Sequence, residues 1–139
     1  MSLEERDDPP VSEYLVISRG QWDADKSPEE IQASIDAFYR WYSNLVEHGV
    51  MRTGQRLEPE GKRVSRERIL DGPFTEAKEV IGGFWFVRAR SLTEAASLMA
   101  DNPCLACGLE YDVRPLAQNR CNAFERTCET PERPANDRV

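Results

Sequence analysis

The sequence predicts an α+β domain in which two β-α-β halves, joined through a short hairpin, share one antiparallel sheet with both helices on the same face. Two observations predict the halves. The helix-start signatures Ser27-Pro28-Glu29-Glu30 and Ser91-Leu92-Thr93-Glu94 each follow one strand-like apolar run and precede another. The third observation is size: 139 residues, 40% of them apolar, suffice for one domain with tails and leave little space for a second.

The run Tyr14-Leu15-Val16-Ile17 is short, β-branched and closed by Arg19-Gly20, as a buried strand should be. Ser27 is then a helix N-cap, with Pro28 in the first helical position and Glu30 completing a capping box. Ile31, Ile35, Phe38, Tyr42, Leu45 and Val46 recur along one face for about five turns, and Gly49 supplies a left-handed cap. Val50 to Leu57 reads as a weaker strand. Glu58-Pro59-Glu60-Gly61 turns the chain into a hairpin around Val64 to Leu70. Phe84-Trp85-Phe86-Val87 is the strongest strand signal. Leu92, Ala95, Ala96 and Met99 mark one face of a second helix that stops before Asn102-Pro103. In the last strand Leu109, Tyr111 and Val113 alternate with Glu110, Asp112 and Arg114. Two β-α-β halves in this order make the split, ferredoxin-like arrangement. Because large apolar residues alternate to both faces of Phe84 to Val87, the helix-free face needs a cover, and a second copy packed sheet to sheet supplies one. A homodimer enclosing a cavity is the expectation.

Residues 1–12 and 118–139 are polar, contain prolines and lack a sustained apolar period, so they read as an acidic N-terminal and a polar C-terminal tail around a domain at 13–117. The formal charge of -7 opposes a nucleic-acid footprint. The acidic start and the absence of a long apolar stretch predict neither export nor membrane insertion, and hence a cytoplasmic protein. Cys104 and Cys107 form a Cys-x-x-Cys pair, but Cys121 and Cys128 lack the spacing of a zinc ribbon. Reduced, partly buried thiols are expected, with no metal and no cofactor.

The densest polar constellation is Asp71-Gly72-Pro73-Phe74-Thr75-Glu76-Ala77-Lys78-Glu79, followed by Gly82-Gly83-Phe84 and later by Glu110-x-x-x-Arg114-Pro115. Over about residues 13 to 116 this pattern resembles the YCII-related family, in the branch named for its Asp-Gly-Pro-Phe signature. The resemblance implies a dimeric α/β-barrel type of assembly. It implies no established reaction, and some relatives are linked by gene neighbourhood to sigma factors. Better-studied relatives are credited with a His and Asp dyad. Matching the helix ends puts Phe38 at the His position and Asn102 at the Asp position, so both are replaced here. The one histidine, His48, sits in the last turn of the first helix, where its bland reading is a surface residue.

Asp71, Glu76, Lys78, Glu79 and Arg114 are the candidate ligand-binding residues, because clustered carboxylates beside cations can shift a pKa or rim a ligand site. The structural alternative is a turn in which the Asp71 side chain accepts backbone N–H groups, Phe74 anchors the loop in the core and Arg114 reaches Asp71 or Glu76. On that reading Asp71→Ala costs about 1 to 2 kcal/mol. The basic hairpin Lys62, Arg63, Arg66 and Arg68 reads as solvated, or as a contact for an acidic partner. Two functions stand: a small-molecule site in a dimer cavity, or a non-enzymatic regulatory and interaction module associated with transcription.

Overall fold

A computed structural model describes residues 10–76 and 80–132. The elements are β1 (Ser12–Arg19), α1 (Pro28–Glu47), β2 (Met51–Arg56), β3 (Lys62–Val64), β4 (Ile69–Asp71), β5 (Ile81–Ala89), α2 (Leu92–Met99), a 3-10 helix (Pro103–Cys107) and β6 (Glu110–Pro115). Four strands form an antiparallel sheet in the order β2-β5-β1-β6, which is the order of a split β-α-β fold. β3 and β4 pair only with each other, in a separate two-stranded sheet. No described helix is long and apolar enough to cross a membrane.

The cap chemistry acts where the sequence placed it. Ser27 Oγ accepts the Glu30 N–H at 3.1 Å while Glu30 Oε1 accepts the Ser27 N–H at 3.2 Å, the reciprocal pair of a capping box. At the far end Gly49 takes φ +74°, a conformation closed to most side chains, and its N–H reaches the Val46 carbonyl at 3.0 Å. Ser91 caps α2 through the Glu94 N–H at 3.0 Å. The buried stripe of α2 departs from expectation: Ala95 and Met99 are buried and Leu98 half-buried, but Leu92 and Ala96 are exposed. Asn102 continues the stripe into the 3-10 helix, which turns α2 toward Leu98 and away from Ala96.

Alternation sorts the sheet into two unlike faces. Tyr14, Val16, Met51, Trp85 and Val87 point at the helices and pack with Phe38, Ala95 and Met99. Leu15, Ile17, Phe84 and Phe86 point the other way and are only half-buried. There Leu15 lies opposite Phe86 and Ile17 opposite Phe84, and the two Phe rings meet edge to face at 6.1 Å. Arg52 closes one margin: its guanidinium lies 3.9 Å over the Phe86 ring and grips Glu13 with two bonds of 2.6 and 3.0 Å. That grip holds the Glu13 carboxyl below its ordinary value.

The hairpin stays outside this core. Three-residue strands flanked by Lys and Arg have no apolar face to bury, so Val64 and Ile69 remain 73% and 63% exposed.

Candidate functional site

Between α1 and the sheet lies a cavity of about 190 Å³. Its aromatic lining comes from three parts of the chain. Trp85 occupies the middle of β5, Phe38 and Tyr39 lie one helical step apart on α1, and Trp22 enters from the loop after β1. Phe38 meets Trp85 edge to face at 5.6 Å and stacks on Tyr42 at 5.5 Å, so the ring walls hold one another.

The polar side of the cavity, its floor, is built from the 3-10 helix and β6. The Asn102 side chain, buried, accepts the Cys104 N–H at 2.9 Å and so caps the 3-10 turn. Its side chain and the Cys104 thiol are the polar neighbours that act on the Tyr111 hydroxyl. The thiols pin this turn to α1: Cys104 Sγ lies 3.9 Å from the Ser34 carbonyl, and Cys107 Sγ lies 3.1 Å from Ser34 Oγ and 3.9 Å from the Glu30 carbonyl. Burial pushes the Tyr111 hydroxyl and the Cys104 thiol above their ordinary values. Both stay protonated near neutral pH, so the floor offers hydrogen bonds but neither a base nor a thiolate.

Arg56, the last residue of β2, stands at the mouth. It also borders two outer clefts of about 420 and 460 Å³, the first beside Ser18 and Gly82 and the second running out to Pro73 and Phe74. Arg56 is thus shared by the aromatic cavity and by the outer cleft that Pro73, Phe74 and Thr75 border.

Of the five residues singled out in the sequence, the three that are described do not form a common site. Asp71, at the end of β4, is exposed and forms an ion pair with Lys62 directly across the hairpin. Glu76 is exposed, while Lys78 and Glu79 lie outside the described residues. Arg114 sits on the open face of β6, opposite Leu15. Its strand is the edge away from β2, so it does not join Asp71. Asp71 accepts from the Lys62 ammonium rather than from the backbone donors of its turn. Phe74 is half-buried beneath the Arg63 guanidinium, 4.0 Å from its ring centre, instead of in the core. His48 is exposed, with Nδ1 2.8 Å from the Asn44 carbonyl. Among the described residues no group of three or more His, Cys, Asp or Glu is placed to hold a metal ion.

Of the two positions that the resemblance matches to a dyad, Phe38 lines the cavity and Asn102 lies buried beside it, capping the 3-10 turn that carries Cys104. Sequence reasoning missed Arg56 and Tyr111. The phase of the last strand, which puts Tyr111 with Val113 on the helix side, was the available signal for Tyr111; nothing local marked Arg56.

These features define a small α+β domain with a groove between its first helix and its sheet. A profile of the YCII-related domain matches residues 13–117, and the chain belongs to that family. An uncharacterised protein of Rhizobium meliloti (strain 1021) is 32% identical over 99 residues, a match covering 64% of this chain and 75% of that one. Two solved structures are similar at lower levels. One is the 5-chloro-2-hydroxyhydroquinone dehydrochlorinase of Burkholderia phenoliruptrix AC1100 in complex with 2,5-dihydroxybenzoquinone, at 18% identity and TM-score 0.43, covering 77% of this chain and 95% of that one. The other is the hydroxynitrile lyase of Passiflora edulis, at 12% identity and TM-score 0.38, covering 81% of this chain and all of that one. At those scores neither activity transfers to this chain.

Proposed function

We propose that this YCII-related domain binds a small molecule in the groove beneath α1, as a homodimer joined through the open sheet face. The observation that carries the reading is the cavity of about 190 Å³ with aromatic walls and with Tyr111 and Cys104 as its polar side. With Phe38 and Asn102 at the dyad positions and a protonated floor, the site favours binding over proton-transfer catalysis. The half-buried Leu15, Ile17, Phe84 and Phe86 supply the apolar centre of the dimer contact.

Native mass spectrometry of protein purified without additives tests both parts. The expected result is a dimer of twice the 15.9 kDa chain that carries a small molecule, lost when Ile35→Trp fills the cavity. A bare monomer defeats the reading. A bare dimer favours the second function, a non-enzymatic interaction module associated with transcription, whose support is the lack of an ionisable group at both dyad positions.

A further inference from the structure

Arg56 supplies the one charge on the cavity lining; no Asp or Glu is among the described residues there. Among the described residues it makes no ion pair, although the protein as a whole carries a net charge of -7. Its guanidinium is seated against Gly82 of β5: a Cβ built at Gly82 would come 3.0 Å from Arg56 Nη1 and 3.0 Å from Ser18 Oγ. The glycine thus leaves the space that lets the cation lie across the sheet toward the cavity. Its field reaches the floor, where it opposes the upward shifts of Cys104 and Tyr111. A guanidinium that makes no ion pair among the described residues, at the edge of an aromatic cavity, is a carboxylate receptor by chemistry: planar, multiply donating and always charged. Size sets the rest of the ligand. A cavity of about 150 Å³ holds benzene, so the roughly 190 Å³ here takes one ring with a small substituent. Farther out Glu58 and Glu60 border the groove and disfavour a second negative group.

We infer that the ligand class is a single-ring aromatic monocarboxylate, its ring against the aromatic wall of Trp85, Phe38 and Trp22, its carboxylate on Arg56 and a ring hydroxyl or carbonyl at the far end meeting the Tyr111 hydroxyl. The inference rests on the groove reading proposed above and adds the sign of the ligand's charge and the residue that reads it.

Titration of the purified parent with benzoate and with its neutral isostere benzamide, followed by Trp fluorescence and calorimetry, tests it. The expected result is benzoate binding about tenfold or more tighter than benzamide, as a bond to a charged partner implies. Arg56→Gln should abolish that preference by lowering benzoate affinity to about that of benzamide, and Arg56→Lys should retain part of it. Gly82→Ala, which displaces the guanidinium without removing the charge, should also weaken benzoate selectively. Binding of both ligands with equal affinity, or a benzoate preference that survives Arg56→Gln, overturns the charge assignment and leaves the groove reading standing. If neither ligand binds at millimolar concentration, and Ile35→Trp changes nothing, the groove reading falls and this inference with it. Arg56 is exposed at a strand end, so its replacement leaves the core intact.

Discussion

The signature hairpin and the groove beneath α1 handle polar groups in opposite ways. On the hairpin, Lys62 and Asp71 are neighbours in an isolated two-stranded ribbon, and both side chains are mostly exposed. Water already solvates each of them, so their pairing adds little and constrains little. Beside the groove, buried Asn102 accepts the Cys104 N–H, and Cys104 and half-buried Tyr111 face the cavity from a 3-10 turn and an edge strand. There each lost partner leaves a buried group unsatisfied, which costs far more than the bond contributes. Polar density along a sequence therefore measures solubility as readily as function, while convergence in a dry place is what makes a site.

The largest expected effect that sharpens this contrast is at Trp85, whose ring contacts Phe38, Tyr42 and Tyr111. Trp85→Ala should destabilise the fold by about 3 to 5 kcal/mol. Ile69→Ala on the hairpin should stay within about 0.5 kcal/mol. Urea unfolding of the two variants beside the parent measures both, and equal losses would erase the distinction between the regions.

A smaller effect is the pH dependence of the groove floor. Tyr111 has its folded pKa raised from the ordinary 10.0 by burial, and Cys104 has its own raised from 9.0 for the same reason. The folded protein keeps these protons where the unfolded chain releases them. Their contribution is therefore present below about pH 9 and is lost as pH rises past the ordinary values. Denaturant midpoints between about pH 8 and 11 should fall, and Tyr111→Phe should make the fall shallower above pH 10. Identical slopes in parent and variant would mean that Tyr111 is solvated.

The smallest effect belongs to Asp71. A capping role in its turn implied about 1 to 2 kcal/mol. With its carboxylate instead on exposed Lys62, Asp71→Ala should cost less than about 1 kcal/mol. Thermal unfolding at low and high salt reads the difference: a loss near 2 kcal/mol that salt does not change would restore a structural role to the signature loop.

Local chemistry made much of the fold legible. Ser27 with Glu30, Gly49 and the alternating strands act through neighbours a few residues away, so the sequence alone placed both helices, the four long strands and the two-sided character of β5. Through the family resemblance it also placed Phe38 and Asn102 where relatives are credited with a dyad that this chain lacks. What it did not disclose was the partner of each. The Cys104 thiol meets Ser34 from 70 residues away, and Arg56 reaches the cavity only because β2 pairs with β5 and Gly82 yields room. Contacts of that range depend on strand order and on a single missing Cβ, which no local pattern encodes. The hairpin, by contrast, looked like a site because its charges are adjacent in sequence, and only the tertiary structure shows that nothing is packed over them to remove them from water.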